Sequence, residues 1–244
     1  GNVVEMEALT DARGYYLEDR SRQAVIFTNT LAPDGVQREA SLWLQYLQLG
    51  LVNEESLLTF SPDGYYIDQT VASDVAAHRN MAKVLDFWAN TMGRASYDDR
   101  NGSVLEAVHA LWDGTGTNAV SYGSSGILAF GDGDGQNMRS VTSLDVAAHE
   151  FAHTVVAHTA RLGNRGVPGA LNEHVADAFG LFTERRMGNE FGQWNFLMGE
   201  EVMIRRLALR NMEDPQSVQN GVTGNDPDHM SLFYGGTADG GGVH

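Results

Sequence analysis

The stretch DVAAHEFAH, residues 145–153, decides how the rest of the chain is read. His149 and His153 stand four residues apart, so on a helix they project from one face and both imidazoles reach a single cation. Glu150, beside the first histidine, can approach a water on that cation without ligating it. The surrounding pattern predicts a helix from about Leu144 to Ala160. A second helix, from about Pro168 to Arg186, follows after a short loop, with Pro168 suited to a first turn. The chain has no cysteine, so any metal must sit on His, Asp or Glu.

The second helix carries GALNEHVAD, residues 169–177. Glu173 completes a His-His-Glu set, three protein ligands with one position left open, as a catalytic zinc requires. Asp177, one turn further on, is placed to accept the free N–H of His149 and fix that ring. Backwards along the first helix His153, His149 and Asp145 recede in turns, while along the second Glu173, Asp177 and Glu184 advance on nearly one stripe. The two helices are therefore expected to run antiparallel. That pairing brings Asp145 towards Glu184, two carboxylates that repel unless a hard cation lies between them.

Upstream, the first 70 residues are strand-like and turn-rich, with Ala24 to Leu31 a strand and Ser61-Pro62-Asp63-Gly64 a turn. Ser73-Asp74 offers an N-cap to a helix whose apolar face runs through Val75, Met81, Leu85, Trp88 and Met92 before Gly93 ends it. Asn118 to Tyr122, the turn Gly123-Ser124-Ser125-Gly126, and Ile127 to Phe130 form a hairpin, closed by Gly131-Asp132-Gly133-Asp134-Gly135. The fold class is α+β. A β-rich domain with one long helix (1–142) meets a helical metal-binding domain (143–244), with the site in the cleft between them.

With 32 acidic against 16 basic residues and a net charge of −16, the 244-residue chain repels nucleic acid and anionic membranes. No run approaches 18 apolar residues, and the N-terminus lacks the pattern of a signal peptide. The reading is a secreted, extracellular protein from which any export signal has been removed.

The chain resembles the thermolysin family of neutral zinc metalloendopeptidases from about Gly14 to His244. The similarity rests on Tyr15-Tyr16-Leu17, Asn118-Ala119, the 131–135 segment, residues 145–153 and 169–177, Leu209-Arg210 with Asp214-Pro215, Asp226-Pro227-Asp228-His229 and Gly241-Gly242-Val243-His244, in the family's order. The resemblance implies that Glu150 takes a proton from a zinc-bound water and passes it to the leaving amine. It makes His244 the oxyanion stabiliser, oriented by Asp239, and gives Arg210 a substrate carbonyl. Asn118 and Ala119 become an edge that pairs with substrate backbone, and one calcium is assigned to Asp145, Glu184 and Glu200. A hydrophobic residue is expected after the cut.

Several positions depart from the family. Asn164 stands where a tyrosine usually assists the oxyanion. The edge reads Asn118-Ala119-Val120-Ser121 where an aromatic pair is usual, and Gln193 replaces a further calcium aspartate. Asn137 and Ser140 fall where apolar pocket residues are expected, while Val146 and Leu209 keep part of that pocket apolar. Zinc aminopeptidases rank second, with a ligand interval one residue shorter. A non-catalytic zinc-bearing module is the alternative from another class, and retention of Glu150 argues against it. His78, His109, His158 and His229 read as structural or solvated, and His174 as pointing away from the metal. Because the family continues past the matching histidine, the expectation is a truncated or nicked form, weakly active alone, with the remaining helices on a complementary C-terminal fragment or absent, and an apolar patch left around Phe182 and Leu207.

Overall fold

The computed structural model describes residues 10–11, 14–16, 18–31, 38–40, 44, 48, 60–61, 72–188, 195–205, 207–220 and 224–232. Its main sheet has five strands: β1 (Glu18–Asp19), β2 (Ile26–Thr30), β3 (Val104–Val108), β4 (Ala119–Ser121) and β5 (Ile127–Phe130). Their order across the sheet is β1-β2-β3-β5-β4. β2, β3 and β5 run parallel, with Ile26 opposite Val104 and Ile127 opposite Leu105. β1 and β4 are antiparallel edges. The expected hairpin is present, with Ser121 opposite Leu128 and Ala119 opposite Phe130.

Side chains alternate across the sheet. Ile26, Val104, Val108, Leu128 and Phe130 join the larger core against the helices, whereas Phe27, Leu105, Ala107 and Ala129 form a smaller core on the other face. Among the described residues three helices lie on the larger core: α1 (Ala72–Asn90), α2 (Leu144–His158) and α3 (Gly166–Met187). α2 is buried on nearly every side, from Leu144 through Ala152 and again from Thr154 to Val156, as suits a central helix. Trp88 of α1 contacts Phe151 of α2 and Phe179 of α3, at ring separations of 6.1 and 4.6 Å, and so links all three.

α1 corrects one expectation. The helix begins at Ala72, so Ser73 and Asp74 lie in its first turn and not at a cap. Its buried face includes Asp74 and His78 as well as Met81, Leu85 and Trp88, while Val75 is only half-buried. Met92 lies beyond the helix end and is exposed. Chain reversal there uses Gly93 at φ +65° and an Arg94 N–H to Trp88 carbonyl bond of 2.9 Å, a C-terminal cap that turns Met92 outward. Pro168 does fall in the first turn of α3. The turn expected at 62–64 lies outside the described residues.

The 131–135 segment passes so close to residue 116 that only glycine fits. A Cβ on Gly131 would stand 2.0 Å from the Gly116 carbonyl oxygen. Beyond Met187 the described residues include only two short 3-10 turns, Pro215–Ser217 and Met230–Leu232, as helical elements. Described residues there form short pairs, β6 (Leu197–Met198) with β7 (Arg210–Asn211), and Gln219–Asn220 with Gly224–Asn225. Phe182 and Leu207 are exposed, at 52% and 61%.

Candidate metal centre

α2 and α3 pack antiparallel through a closely fitted seam. Contacts pair His153 with Asn172 and Glu173, then His149 with Glu173 and Asp177. At the far end Gly180 meets the Asp145 carbonyl, where a Cβ would come within 2.8 Å of that oxygen. Any larger residue at 180 would push the helices apart and widen the site.

At the seam His149 Nε2 and His153 Nε2 lie 3.0 Å apart, and Glu173 Oε2 stands 3.2 and 3.5 Å from them. Ligands about 2.0–2.1 Å from a tetrahedral zinc are separated by roughly 3.3 Å, so this triangle fits that ion. Both imidazoles are oriented from behind. His149 Nδ1–H donates to Asp177 Oδ1 at 2.7 Å, and His153 Nδ1–H donates to Asn172 Oδ1 at 3.0 Å. That leaves both Nε2 lone pairs and a carboxylate facing one point, an arrangement that repels itself unless a proton or cation sits there. It is the only group of three or more such side chains among the described residues with donor atoms within 4.8 Å of one another.

Charge is arranged to match. Burial opposes a charged His149, yet the carboxylates of Asp177 and Glu173 outweigh it and push its pKa up to about 10. Burial likewise works against charged Glu173 and Asp177, but hydrogen bonds from His149 and His153 hold the first carboxylate well below its usual range. Arg210 and His149 do so for the second. Arg210 grips Asp177 bidentately, Nε to Oδ2 and Nη2 to Oδ1, each at 2.6 Å. Glu150 is buried, and desolvation raises its pKa against the pull of the two histidines.

These groups open onto a cleft of about 620 Å³ lined by His149, Glu150, His153, Glu173, Arg210 and the edge strand from Asn118 to Ser121. β4 pairs only with β5 among the described residues, so its other edge is free towards the cleft. Asn164 lines the mouth and is exposed. Asn137 and Ser140 do not line the cleft: Asn137 bonds Asp134 at 2.8 Å, and Ser140 lies near the Gly131 carbonyl and Thr142. Met138, Val141 and Met198 join Val146 and Leu209 to make the wall apolar. His174 is exposed.

Asp145, Glu184 and Glu200 lie near enough at the other end of the seam for their charges to interact, but their oxygens do not come within 4.8 Å of one another as a set. Asp145 Oδ1 accepts from Ser143 and from the Val146 N–H at 2.6 and 2.8 Å, and its Oδ2 accepts the Gly199 N–H. Glu184 is buried, and that burial together with the charges of Asp145, Glu200 and Glu201 pushes its pKa to about 8. Glu200 Oε1 accepts from Asn195, while its Oε2 is buried with no hydrogen-bond partner. His244, Asp239 and Gln193 lie outside the described residues. Sequence reasoning missed Asn172 as the partner of His153. Its signal was available, since antiparallel helices place the residue before Glu173 against the ring nearer the loop.

The fold and this site define a zinc-type centre of the H-E-x-x-H class, with its third ligand on the following helix and a free sheet edge alongside. Residues 1–157 match the family model for the thermolysin metallopeptidase catalytic domain, and residues 160–244 that for the thermolysin metallopeptidase alpha-helical domain. The chain belongs to the thermolysin metallopeptidase family. It is 34% identical to thermolysin of Bacillus sp. (strain EA1) over 237 residues, 94% of this chain and 37% of that protein. Against bacillolysin of Brevibacillus brevis the identity is 35% over 248 residues, 100% of this chain and 40% of the relative. Against neutral protease B of Bacillus subtilis (strain 168) it is 36% over 176 residues, 70% and 29%. The chain thus spans two fifths or less of these curated relatives. Among solved structures, the precursor of protealysin, a metalloproteinase from Serratia proteamaculans, shares the fold with a TM-score of 0.69 at 22% identity, covering 99% of this chain and 67% of that one.

Proposed function

We propose that this chain carries the reacting centre of a secreted zinc-dependent endopeptidase. The observation that carries the reading is the His149–His153–Glu173 triangle, with edges of 3.0 to 3.5 Å, opening beside buried Glu150 onto a cleft with a free β edge. Zinc, when bound there, supplies a Lewis acid and lowers the pKa of a water in its open position.

The protein groups do the rest. Glu150 accepts a proton from the attacking water and delivers it to the leaving amine, and burial brings its pKa nearer the working range of a general base. Asp177 and Asn172 keep both ligand histidines in the tautomer that faces the ion. Substrate backbone adds to the open edge of Asn118 and Ala119 as an extra strand. Arg210, already fixed by Asp177, has N–H groups left over for a substrate carbonyl. The apolar wall favours a hydrophobic side chain after the cut. By family resemblance His244 and Asp239 serve the oxyanion, and Asp145, Glu184 and Glu200 hold one calcium. The net charge of −16 suits a secreted protein acting on polypeptides and not on nucleic acid, and no helix among the described residues is long and apolar enough to cross a membrane.

The deciding test compares casein and blocked-peptide hydrolysis by the zinc-loaded wild type and by Glu150→Gln. The variant keeps about one zinc per chain and loses on the order of 10²-fold or more in kcat, because shape is preserved and the base is gone. Equal turnover by both proteins would end this assignment.

A further inference from the structure

His158, the last residue of α2, stands five positions after His153 and ties that helix to the substrate edge. Its Nε2–H donates to the Ser124 carbonyl at 2.9 Å, in the Gly123–Ser125 turn that closes the β4–β5 hairpin. The ring of Tyr97 packs 5.2 Å from the imidazole. That same ring occupies the space over Gly126, where a Cβ would come within 2.4 Å of it. The turn is therefore held between Tyr97 and His158. The other end of β4 is anchored separately: the Gly131 N–H bonds the Asn118 carbonyl at 3.0 Å. Next to it Asp132 is gripped by His109, whose other nitrogen bonds buried Asp74 of α1 at 2.7 Å.

We propose that His158 is a positioning residue for substrate pairing. By holding the turn after β4 to the helix that bears His149, Glu150 and His153, it fixes the offset between the strand that pairs with substrate and the group that handles the proton. The proposal rests on the endopeptidase reading above. Its consequence is selective. β4 has one strand partner among the described residues and otherwise rests on α2 itself, so releasing its turn loosens the register of Ala119 to Ser121 against α2. The ligand triangle, held between α2 and α3, stays in place. A misplacement on the order of 1 Å is enough to impair a bound extended chain, whereas a short substrate that does not reach along the strand is spared.

His158→Phe keeps a ring against Tyr97 and removes the donor, while His158→Gln restores an N–H donor. With an extended peptide spanning the edge strand, His158→Phe raises KM about fivefold, the scale of one hydrogen bond, and leaves kcat within about twofold. Zinc content and cleavage of a blocked dipeptide stay at wild-type values, and His158→Gln recovers the KM. Equal KM in all three proteins, equal losses on both substrates, or identical behaviour of the Phe and Gln variants overturns the proposal. Amide hydrogen exchange over residues 122–127 supplies a readout free of activity, faster in His158→Phe and at the wild-type rate in His158→Gln. A wild type that cleaves neither peptide defeats the endopeptidase reading, and the exchange rates then still judge the tether.

Discussion

Asp177 and Arg210 are joined by two parallel hydrogen bonds of 2.6 Å, and the Asp177 oxygen that receives Arg210 Nη2 also accepts the His149 Nδ1–H at 2.7 Å. One buried carboxylate thus orients both His149 and Arg210. Asp177→Asn presents a neutral amide to both partners. Zinc affinity is expected to fall about 10–100-fold, the usual effect of losing a group that orients a ligand histidine, as a competing chromophoric chelator would reveal. Unchanged affinity would mean that the ring is held by packing alone.

Removing the other partner separates binding from folding. Arg210→Ala leaves Asp177 buried with only His149 to compensate it, and about 3 kcal/mol of stability should be lost in urea unfolding of the metal-free protein. Arg210→Lys keeps the charge but not the fork, so its loss is smaller while the peptide KM still rises. Stability equal to wild type in Arg210→Ala would contradict the pairing.

Calcium is expected to stabilise the seam between α2 and α3. Buried Glu184, raised to about 8 by its burial and its acidic neighbours, is relieved by a hard cation. At about 100 times its Kd, calcium should add about 2.7 kcal/mol, seen as a higher melting temperature at low ionic strength and absent in Glu184→Gln. An equal rise with sodium at matched ionic strength would point to screening, not to a site.

Stability should also decline as pH rises from acid to about 8 because of Glu106, which lies fully buried in the sheet and accepts from Thr28 at 2.8 Å. Burial and nearby Asp74 raise its pKa from 4.5 to about 8. Between those values the folded state keeps a proton that the unfolded state releases, so stability declines as pH rises across the window. His109 adds a decline between 6.5 and about 10, since its carboxylate partners overcome burial to hold its proton. Glu106→Gln removes the first component, so its urea midpoint should gain on wild type between pH 5 and pH 8. Parallel curves for the two proteins would refute this.

The site was largely legible in the sequence because it is written at helical spacing. His149, His153, Glu173 and Asp177 sit on two neighbouring helices joined by a short loop, and the 3.6-residue period leaves little freedom in how they meet. The β4–β5 hairpin was legible for a similar reason, its glycine- and serine-rich turn lying between two short strands that pair with each other.

Contacts between elements distant in the chain were not legible. Asp74 read as a helix cap and became a buried partner of His109, 35 residues away, because β3 ends with His109 turned under the first turn of α1. Asn137 and Ser140 read as pocket residues, yet local bonds to Asp134 and around Gly131 occupy them, leaving Met138 and Val141 to face the cleft. His158 read only as structural or solvated until the hairpin turn was placed against the end of α2. The sequence by itself picked out the candidate ligand set, the candidate base and the strand that borders them, because each depends on spacing within one or two adjacent elements. Only the tertiary structure decided which polar groups stand behind that set and what fixes the edge strand to it. Those contacts depend on sheet register and helix packing, which no local period encodes.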